Sequence, residues 1–550
     1  MTDTRGALRA RGLQDLILVN SWRGSLLLIV GAVTVLFFVF GFWWPYWRVA
    51  DMDLWMIYEA LLQNDGLAQE WFDHPGYLTI LLLGEWFRLL HAVGLLDVHA
   101  FSAVPSSTAG AEHAWTAAAR AGRVLSLILS DAYVVVFGAL LLRIVKDWRI
   151  AVLAAFALAF SGGLEMSARI MRTELLAGAG VTIALLLLIL AGRAPRPGLR
   201  PLLVGAAALF ATLGLINKVQ AIFLIGALPM LALAFGCRSE ADAQWWTTRR
   251  GLLATALLAV GSVLVATPAG RLILVGYELA SSAGWKPFLL VYGSYQVALA
   301  VWVAAALLAY AFIWRVSATE TAATALLVVI GIALGLLTLD IRYNAQDVLV
   351  VVNPLEQLFT WAKNSNPELS GFSSVLRELA EGLRVVLVTR TFVLDTSARP
   401  TIFLEWLVIA LSIFAWRAGQ RQLVLQAALL IAVAWGMDAM SAVRGLKQQY
   451  FILTDPLIVI AAALLLAGLP ELHARRYVYP IGLLLIGAHV AISLAEPIKH
   501  SFLTSKPLGF CVEHFGYTRR VEQFSFCAPT SMREGPAEGG TAPSRRAARE

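Results

Sequence analysis

The chain has 550 residues, of which 59% are hydrophobic and 14% charged, and its formal net charge is +7. Soluble domains are about 45–50% apolar and about 25% charged, so this composition and a mean hydropathy of +0.73 exclude an ordinary soluble protein. The basic residues are scattered through short connectors rather than grouped with aromatics, which argues against nucleic acid as a partner. Apolar runs of roughly 17–25 residues recur, as membrane-spanning helices require. We therefore expect an all-α polytopic protein of the lipid bilayer.

The apolar runs predict about thirteen transmembrane helices. The first run, at residues 25–44, is too long for a signal peptide and has no small-residue cleavage site, so we expect an uncleaved span. The other spans are predicted at residues 124–142, 150–163, 175–192, 201–216, 219–236, 251–267, 288–314, 322–340, 401–416, 422–437, 452–469 and 480–495.

One further apolar segment, "PGYLTILLLGEWFRLLHAVGLL" from Pro75 to Leu96, decides the topology. Charged residues interrupt it at helical spacing, and we expect an interfacial helix with Tyr77, Leu81, Leu82, Trp86, Leu89 and Val93 on its apolar face. With that assignment and a cytoplasmic N-terminus, "RIVKDWR", "GRAPRPGLR", "TTRR", "WRAGQR" and "HARR" all fall in the cytoplasm. Counting it as a span would move all of them outside, against the positive-inside rule. We therefore expect the C-terminus outside.

This topology predicts a transmembrane domain at residues 1–496 and an extracytoplasmic tail at residues 497–550. Two large outer loops are expected, at residues 45–123 and 341–400, and the second contains an amphipathic stretch. The tail is low in complexity and predicted to be disordered after about residue 532. It contains Cys511 and Cys527, which could form a disulfide in an oxidising compartment.

Acidic residues follow the first span directly, beginning with Asp51 and Asp53. Residues two apart share a face only in an extended segment, and there one carboxylate could act as general base on a hydroxyl. The pair could instead hold a divalent cation, or serve as an N-cap with an acidic first turn. His74, before Pro75, is either a catalytic or substrate-binding group or an ordinary loop residue.

Basic residues also occur on the predicted outer side, where the topology rule disfavours them. Ionisable groups at membrane depth are costly and usually have a partner or a function. Arginine offers phosphate a planar fork and lysine a point charge, so the set predicts a site for an anionic headgroup. The alternative is snorkelling to the interface, and for Glu174 a salt bridge to Arg172 or Arg169. The set comprises Arg120, Arg123, Arg169, Arg172, Lys218, Arg444 and Lys447, with Glu165 and Glu174 as accompanying acids.

In this order the features resemble the GT-C superfamily of integral-membrane glycosyltransferases, nearest to the branch with protein O-mannosyltransferases and bacterial lipid A aminoarabinose transferases. The resemblance covers roughly residues 20–495. Its motifs here are "ADMDLW", "DHPGYLTILLLGEWFRLL", "ARAGRVLSLIL", "ARIMRTELLAGAGV", "LGLINKVQAIF" and "RGLKQQYFILTDPL". The sequence departs from the family at Asp51-Met-Asp53, where close relatives often have adjacent acids. It departs again at Gly76, where many relatives have a second proline.

The resemblance implies transfer of a sugar, with inversion, from a polyprenyl-phosphate donor to a lipid, glycan or protein acceptor on the outer face of a bacterial inner membrane. It implies Asp51 or Asp53 as the base and leaves a divalent cation at these residues open. Basic residues would neutralise the phosphate as it leaves. The implied substrate-binding residues are His74, Arg123, Arg169, Arg172, Glu174, Lys218, Arg444, Lys447 and Tyr450.

Two other functions remain open. A transporter or flippase for lipid-linked glycans would also have many spans and intramembrane charges. Transporters often place such charges near the bilayer midplane between repeated halves, whereas here they lie at the outer ends of spans and no repeat is apparent. An O-antigen ligase or polymerase would also use polyprenyl-linked substrates, with its main motif in a late outer loop such as Asp340 to Pro400.

Overall fold

The computed structural model describes residues 21–44, 46, 54–67, 69, 76–194, 198–218, 220–235, 305–312, 314, 316–340, 372–391, 401–442, 448–469 and 478–501. Within these ranges the regular secondary structure is helical, and no β-strand occurs. The helices are α1 Trp22–Phe40, α2 Trp55–Asn64, α3 Tyr77–Ala92, α4 Thr108–Val145, α5 Trp148–Ala159, α6 Gly162–Arg169, α7 Thr173–Arg193, α8 Leu199–Asn217, α9 Ala221–Phe235, α10 Ala318–Asp340, α11 Phe372–Arg384, α12 Ile402–Arg417, α13 Arg421–Ala442, α14 Asp455–Gly468 and α15 Val478–Ser501. Shorter elements are the 3₁₀ helices Phe101–Ala103 and Gln448–Leu453 and the π-helical turn Val385–Thr391.

Six of the described helices are long and apolar enough to cross a membrane, namely α1, α4, α7, α8, α10 and α13. Helices α5 and α6 add a seventh candidate if the pair, bent by 59°, forms one span. Helices α9, α14 and α15 carry shorter apolar stretches at predicted spans. The described chain is therefore that of a multi-pass membrane protein, as predicted. The predicted span at residues 251–267 and most of the one at 288–314 lie outside the described residues.

Two helices differ in extent from the predicted spans. The second span was expected from residue 124, with Arg120 and Arg123 before it, but both arginines lie inside α4. Ser107 caps α4 by accepting a hydrogen bond from the Gly110 amide, and the alanine-rich segment that follows continues the helix without a proline. The third span was expected to be continuous over residues 150–163, but the helix breaks at Phe160 and Ser161.

The core of the bundle is built around α7, whose residues are nearly all buried. It packs against α4, α8 and α9, and its contact with α8 is the closest. At Gly180 a Cβ would lie 2.7 Å from the Phe210 carbonyl oxygen and 3.1 Å from the Gly214 amide nitrogen. Small residues allow such close approach between apolar helices, where dispersion contacts rather than a hydrophobic driving force hold the pair together.

Helices α2 and α3, with the start of α4, form a separate hydrophobic layer at one end of the bundle. Asn64 at the end of α2 holds this layer together, because its side-chain amide donates to the Gly84 carbonyl at 3.0 Å and to the His99 carbonyl at 2.7 Å. Met171, two residues before the start of α7, is buried in the same cluster. The layer therefore covers the N-terminal end of α7.

The helix predicted from Pro75 forms as α3, but its buried face differs from the expected apolar face. Of the expected set, Tyr77 is buried and Trp86 donates a hydrogen bond to the Ala121 carbonyl in α4 at 2.9 Å. Leu89 and Val93 are more than half exposed. The residues that pack inward are Tyr77, Thr79, Ile80, Leu83, Gly84 and Phe87.

Candidate functional site

The ends of several helices meet beneath the α2–α3 layer, and Asn217 joins three of them. The Asn217 side-chain oxygen accepts from the amide and the hydroxyl of Thr79, at 3.0 and 3.1 Å, which attaches the start of α3. Its amide donates to the Thr173 carbonyl at 3.0 Å, which attaches the start of α7. The Asn217 carbonyl accepts from the Gly76 amide at 3.0 Å. We call this junction, where α7 begins and α8 ends, the polar end of the bundle.

Gly76 has a φ of 62°, in the left-handed region. Proline cannot adopt this conformation because its ring holds φ near −65°, and other L-residues adopt it at a cost. A proline would therefore not fit at Gly76, where the left-handed turn directs the following residues into α3.

Next to this junction lies a fully buried ion cluster of Arg172, Glu174 and Lys218. The Lys218 Nζ is 2.9 Å from Glu174 Oε1, and both side chains have no exposed surface. The Arg172 Nε is 3.4 Å from Glu174 Oε2, and the Thr173 hydroxyl donates to the same oxygen at 3.3 Å. One acid thus faces two cations. The salt bridge from Glu174 to Arg172 was one of the sequence-based alternatives, whereas its bond to Lys218 was not foreseen.

A second buried pair lies on α6, where the Arg169 Nη2 is 2.7 Å from Glu165 Oε2. The side chain of Arg169 lies against Gly41, at which a Cβ would be 2.7 Å from Arg169 Cγ. Among the described residues, the Nε and Nη1 atoms of Arg169 have no hydrogen-bond partner, although the side chain is buried. Arg169 therefore pairs with Glu165, not with Glu174, and keeps donors to spare.

Arg123 of α4 is also buried at the polar end and donates a hydrogen bond to the Trp44 carbonyl, just after α1. Three residues further along α4, the Ser126 hydroxyl donates to the Ser167 carbonyl at 2.7 Å and to the Ile170 carbonyl at 3.1 Å. Helix α4 thereby holds both the end of α1 and the link between α6 and α7.

The 3₁₀ helix Gln448–Leu453 brings Tyr450 to the ion cluster. The Lys218 Nζ lies 5.8 Å from the centre of the Tyr450 ring, within the range of a cation–π contact. Two glycines leave room for this segment. At Gly163 a Cβ would overlap the Ile452 amide nitrogen, and at Gly178 it would be 2.7 Å from the Ile452 carbonyl oxygen.

The structure thus places six predicted site residues at the polar end: Arg123, Arg169, Arg172, Glu174, Lys218 and Tyr450. The remaining predicted residues lie outside the described part of the chain, namely Asp51, Asp53, His74, Arg444, Lys447, Cys511 and Cys527. Among the described residues, no group of three His, Cys, Asp or Glu side chains is placed to hold a metal ion. The divalent cation considered at Asp51 and Asp53 stays a prediction.

Sequence reasoning did not single out Asn217, Thr79 or Asp455. Asp455 is fully buried in the first turn of α14, directly after the segment that carries Tyr450. The sequence contained a signal for Asn217 and for Asp455. Asn217 precedes Lys218 at the end of an apolar run, and Asp455 precedes a proline that opens a helix. Tyr46, near the same end, is buried beside Glu112. Burial raises the pKa of its phenol, and the negative charge of Glu112 raises that pKa further.

The opposite end of the bundle is basic and exposed, and we call it the basic end. There the Arg193 guanidinium donates to the Ile144 carbonyl at 2.8 Å and joins the ends of α7 and α4. The Gln426 amide donates to the Ala234 carbonyl at 2.9 Å and joins the start of α13 to the end of α9. Exposed cations at this end are Arg23, Arg143, Lys146, Arg149, Arg193, Arg417 and Arg421.

Comparison of the chain with models of protein families, with curated proteins and with solved structures found no match.

Proposed function

We propose that this protein is a membrane glycosyltransferase of the GT-C type, which moves a sugar from a polyprenyl-phosphate donor to an acceptor at the polar end of the bundle. The observation that carries the proposal is the accumulation of buried cations there. Arg123, Arg169, Arg172 and Lys218 are all buried; Arg169 pairs with Glu165, Arg172 and Lys218 share Glu174, and Asp455 is buried near Tyr450.

Charge balance supports an anionic ligand at this end. Burying charge in a low dielectric is costly, and Lys218 and Arg172 share the single carboxylate of Glu174, so an anion beside these two cations would be stabilised. The Nε and Nη1 donors of Arg169, unused within the described residues, suit phosphate oxygens. Lys218 and Arg172 are held in place by Glu174 before any ligand binds, which reduces the entropic cost of ordering them.

In the proposed reaction an acceptor hydroxyl attacks the anomeric carbon of the donor while Asp51 or Asp53 takes its proton. The bond between the anomeric carbon and the phosphate oxygen breaks, and the polyprenyl phosphate leaves with the electron pair. Lys218, Arg172 and Arg169 stabilise the negative charge that develops on the phosphate. Glu174 acts as a positioning residue for the first two. Single displacement inverts the configuration of the sugar.

The same proposal assigns the polar end to the outer face of the membrane. Exposed arginines and lysines at the basic end satisfy the positive-inside rule if that end is cytoplasmic. This orientation places the start of α1 in the cytoplasm. The finer expectations of about thirteen spans and a bacterial inner membrane belong to the same proposal.

The test is a transfer assay in membrane vesicles that contain the full-length protein and a labelled polyprenyl-phosphate sugar. We expect Lys218→Met to lower transfer about 10²-fold or more, as the loss of one donor to a developing oxyanion does. At least one of the separate variants Asp51→Asn and Asp53→Asn should lose transfer as well. The matched control is Arg384→Met, which breaks an exposed ion pair on α11. Full activity in both aspartate variants would refute the assignment of the base.

A transporter for lipid-linked glycans is the second candidate, because one partly buried acid lies near the middle of a predicted span. Asp131 of α4 accepts a hydrogen bond from the Thr34 hydroxyl at 3.4 Å, and Thr34 is near the middle of α1. Acids within membrane spans often belong to transport pathways. If Asp131→Asn abolishes movement of a labelled lipid-linked sugar across proteoliposomes and no transfer product forms, transport replaces transfer as the function.

A further inference from the structure

Helices α12 and α13 enclose an apolar groove of about 460 Å³ near the basic end. Its size falls within the range of pockets that bind small molecules and cofactors, about 300–1,000 Å³. Ala428 and Ala432 of α13 line the groove with methyl groups only. Ile413 and Trp416 of α12 line it and are more than half exposed, so the groove opens to the outside of the helix pair.

Positive charge marks the end of this groove. Arg417 lines it directly, and the Arg421 guanidinium lies 5.5 Å from the centre of the Trp416 ring. Both arginines are exposed and flank the short turn between α12 and α13. Tryptophan and arginine at the end of a membrane helix are typical of the level of the lipid headgroups. The apolar groove thus ends at two cations at the level of the lipid headgroups.

We propose that this groove binds one acyl chain of an anionic glycerophospholipid from the surrounding bilayer, with the lipid phosphate against Arg417 and Arg421. The apolar wall fits a hydrocarbon chain, and two guanidinium groups complement a headgroup with net negative charge. The acyl chain of a zwitterionic lipid would fit the same groove, but its headgroup, which has no net charge, would be attracted less strongly to the two arginines. A packed protein helix would not require the two cations. The proposal is independent of the transferase function, since this groove lies at the basic end and the ion cluster at the polar end.

The test is native mass spectrometry of the purified full-length protein, titrated separately with dioleoyl phosphatidylglycerol and dioleoyl phosphatidylcholine. We expect one phosphatidylglycerol to bind in preference. The double variant Arg417→Gln/Arg421→Gln should weaken that binding about five-fold per arginine, from the roughly 1 kcal/mol that a basic residue contributes near an anionic headgroup. The control is Arg149→Gln at the same end, where an exposed arginine also lies over a tryptophan, 5.7 Å from the Trp148 ring, but is not among the residues that line this groove.

Filling the groove tests the acyl chain separately from the charge. Ala432→Trp, or Ala428→Leu if the larger residue prevents folding, should displace the lipid while both arginines remain. Equal binding of the two lipids, equal loss in the Arg149 control, or unchanged binding in both filled variants would each overturn the proposal. Preferential binding of a polyprenyl phosphate over phosphatidylglycerol, again lost in the double variant, would also overturn it.

Discussion

Burial distinguishes two ion pairs that have similar geometry. Lys218 and Glu174 are 2.9 Å apart with no exposed surface, whereas Arg384 and Glu381 are 2.6 Å apart and more than half exposed. Water screens the exposed pair, and the hydrogen bond and charge of Arg384 lower the pKa of Glu381 without making the pair important for stability. The buried pair is different, because removing one partner leaves the other charged in a low dielectric.

We therefore predict that Lys218→Met lowers the free energy of unfolding by about 3–5 kcal/mol, the cost of breaking a buried pair. The measurement is thermal or denaturant unfolding of the detergent-solubilised full chain. In the double variant Lys218→Met/Glu174→Gln, stability should fall further because Arg172 then loses its carboxylate as well.

Arg384→Met is the matched control and should not change stability beyond experimental error. Equal losses in Lys218→Met and Arg384→Met would show that burial does not govern the strength of these pairs. A double variant as stable as Lys218→Met alone would show that Arg172 does not depend on its pair with Glu174.

At the scale of single elements, the 3₁₀ helix Gln448–Leu453 depends on its packing against other helices for its position in the candidate site. It is short, and its position depends on the surfaces of α6 and α7, where Gly163 and Gly178 admit the backbone of Ile452. Tyr450 in turn reaches Lys218 only while this segment stays in place. Glycines on two other helices thus position an aromatic residue of the site.

We predict that Gly163→Ala moves this segment away from α6 and lowers stability by about 1–3 kcal/mol, as overpacking does. Transfer activity should fall with it, because Tyr450 loses its place beside Lys218. The control is Gly436→Ala in α13, at which a Cβ would meet no atom within 4 Å.

Gly436→Ala should leave activity intact and raise stability by up to about 1 kcal/mol, the difference in helix propensity between the two residues. The comparison needs unfolding and transfer measurements on both variants. Wild-type activity and stability in Gly163→Ala would mean that the segment does not depend on this contact.

For the whole molecule, the two ends of the bundle use basic residues in opposite ways. At the basic end the cations are exposed, and at the polar end four of them are buried. Exposed cations reflect topology, because their charge stays solvated on one side of the membrane. Buried cations point to a ligand or a partner, since their solvation is lost.

This contrast predicts the orientation of the protein. In a background without the three native cysteines, Lys146→Cys at the basic end should react with a membrane-impermeant maleimide only after the membrane is opened. Ser106→Cys, in the exposed segment before α4, should react in intact cells. Labelling of Lys146→Cys in intact cells, with Ser106→Cys protected, would reverse the proposed orientation and the side of the reaction.

The sequence by itself determined the helices and the class of protein. The apolar runs at residues 175–192, 201–216, 219–236 and 322–340 became α7, α8, α9 and α10, because the length and composition of a run are local properties. The same reasoning failed for α4, since its polar first turns form helix by propensity and capping rather than by hydropathy. The sequence also did not show that α3 packs against protein on the side that carries Thr79 and Gly84.

Only the tertiary structure decided which charges meet. Arg172, Glu174 and Lys218 were each suspected from their unusual positions, but the bond between Glu174 and Lys218 depends on α7 and α8 lying side by side. The roles of Asn217 and Gly163 are also visible only in the tertiary structure. Asn217 bonds to α3, and Gly163 contacts the segment that carries Tyr450. A local pattern can show that a polar residue is out of place in an apolar run. Its partner is set by packing between distant segments, which no local pattern contains.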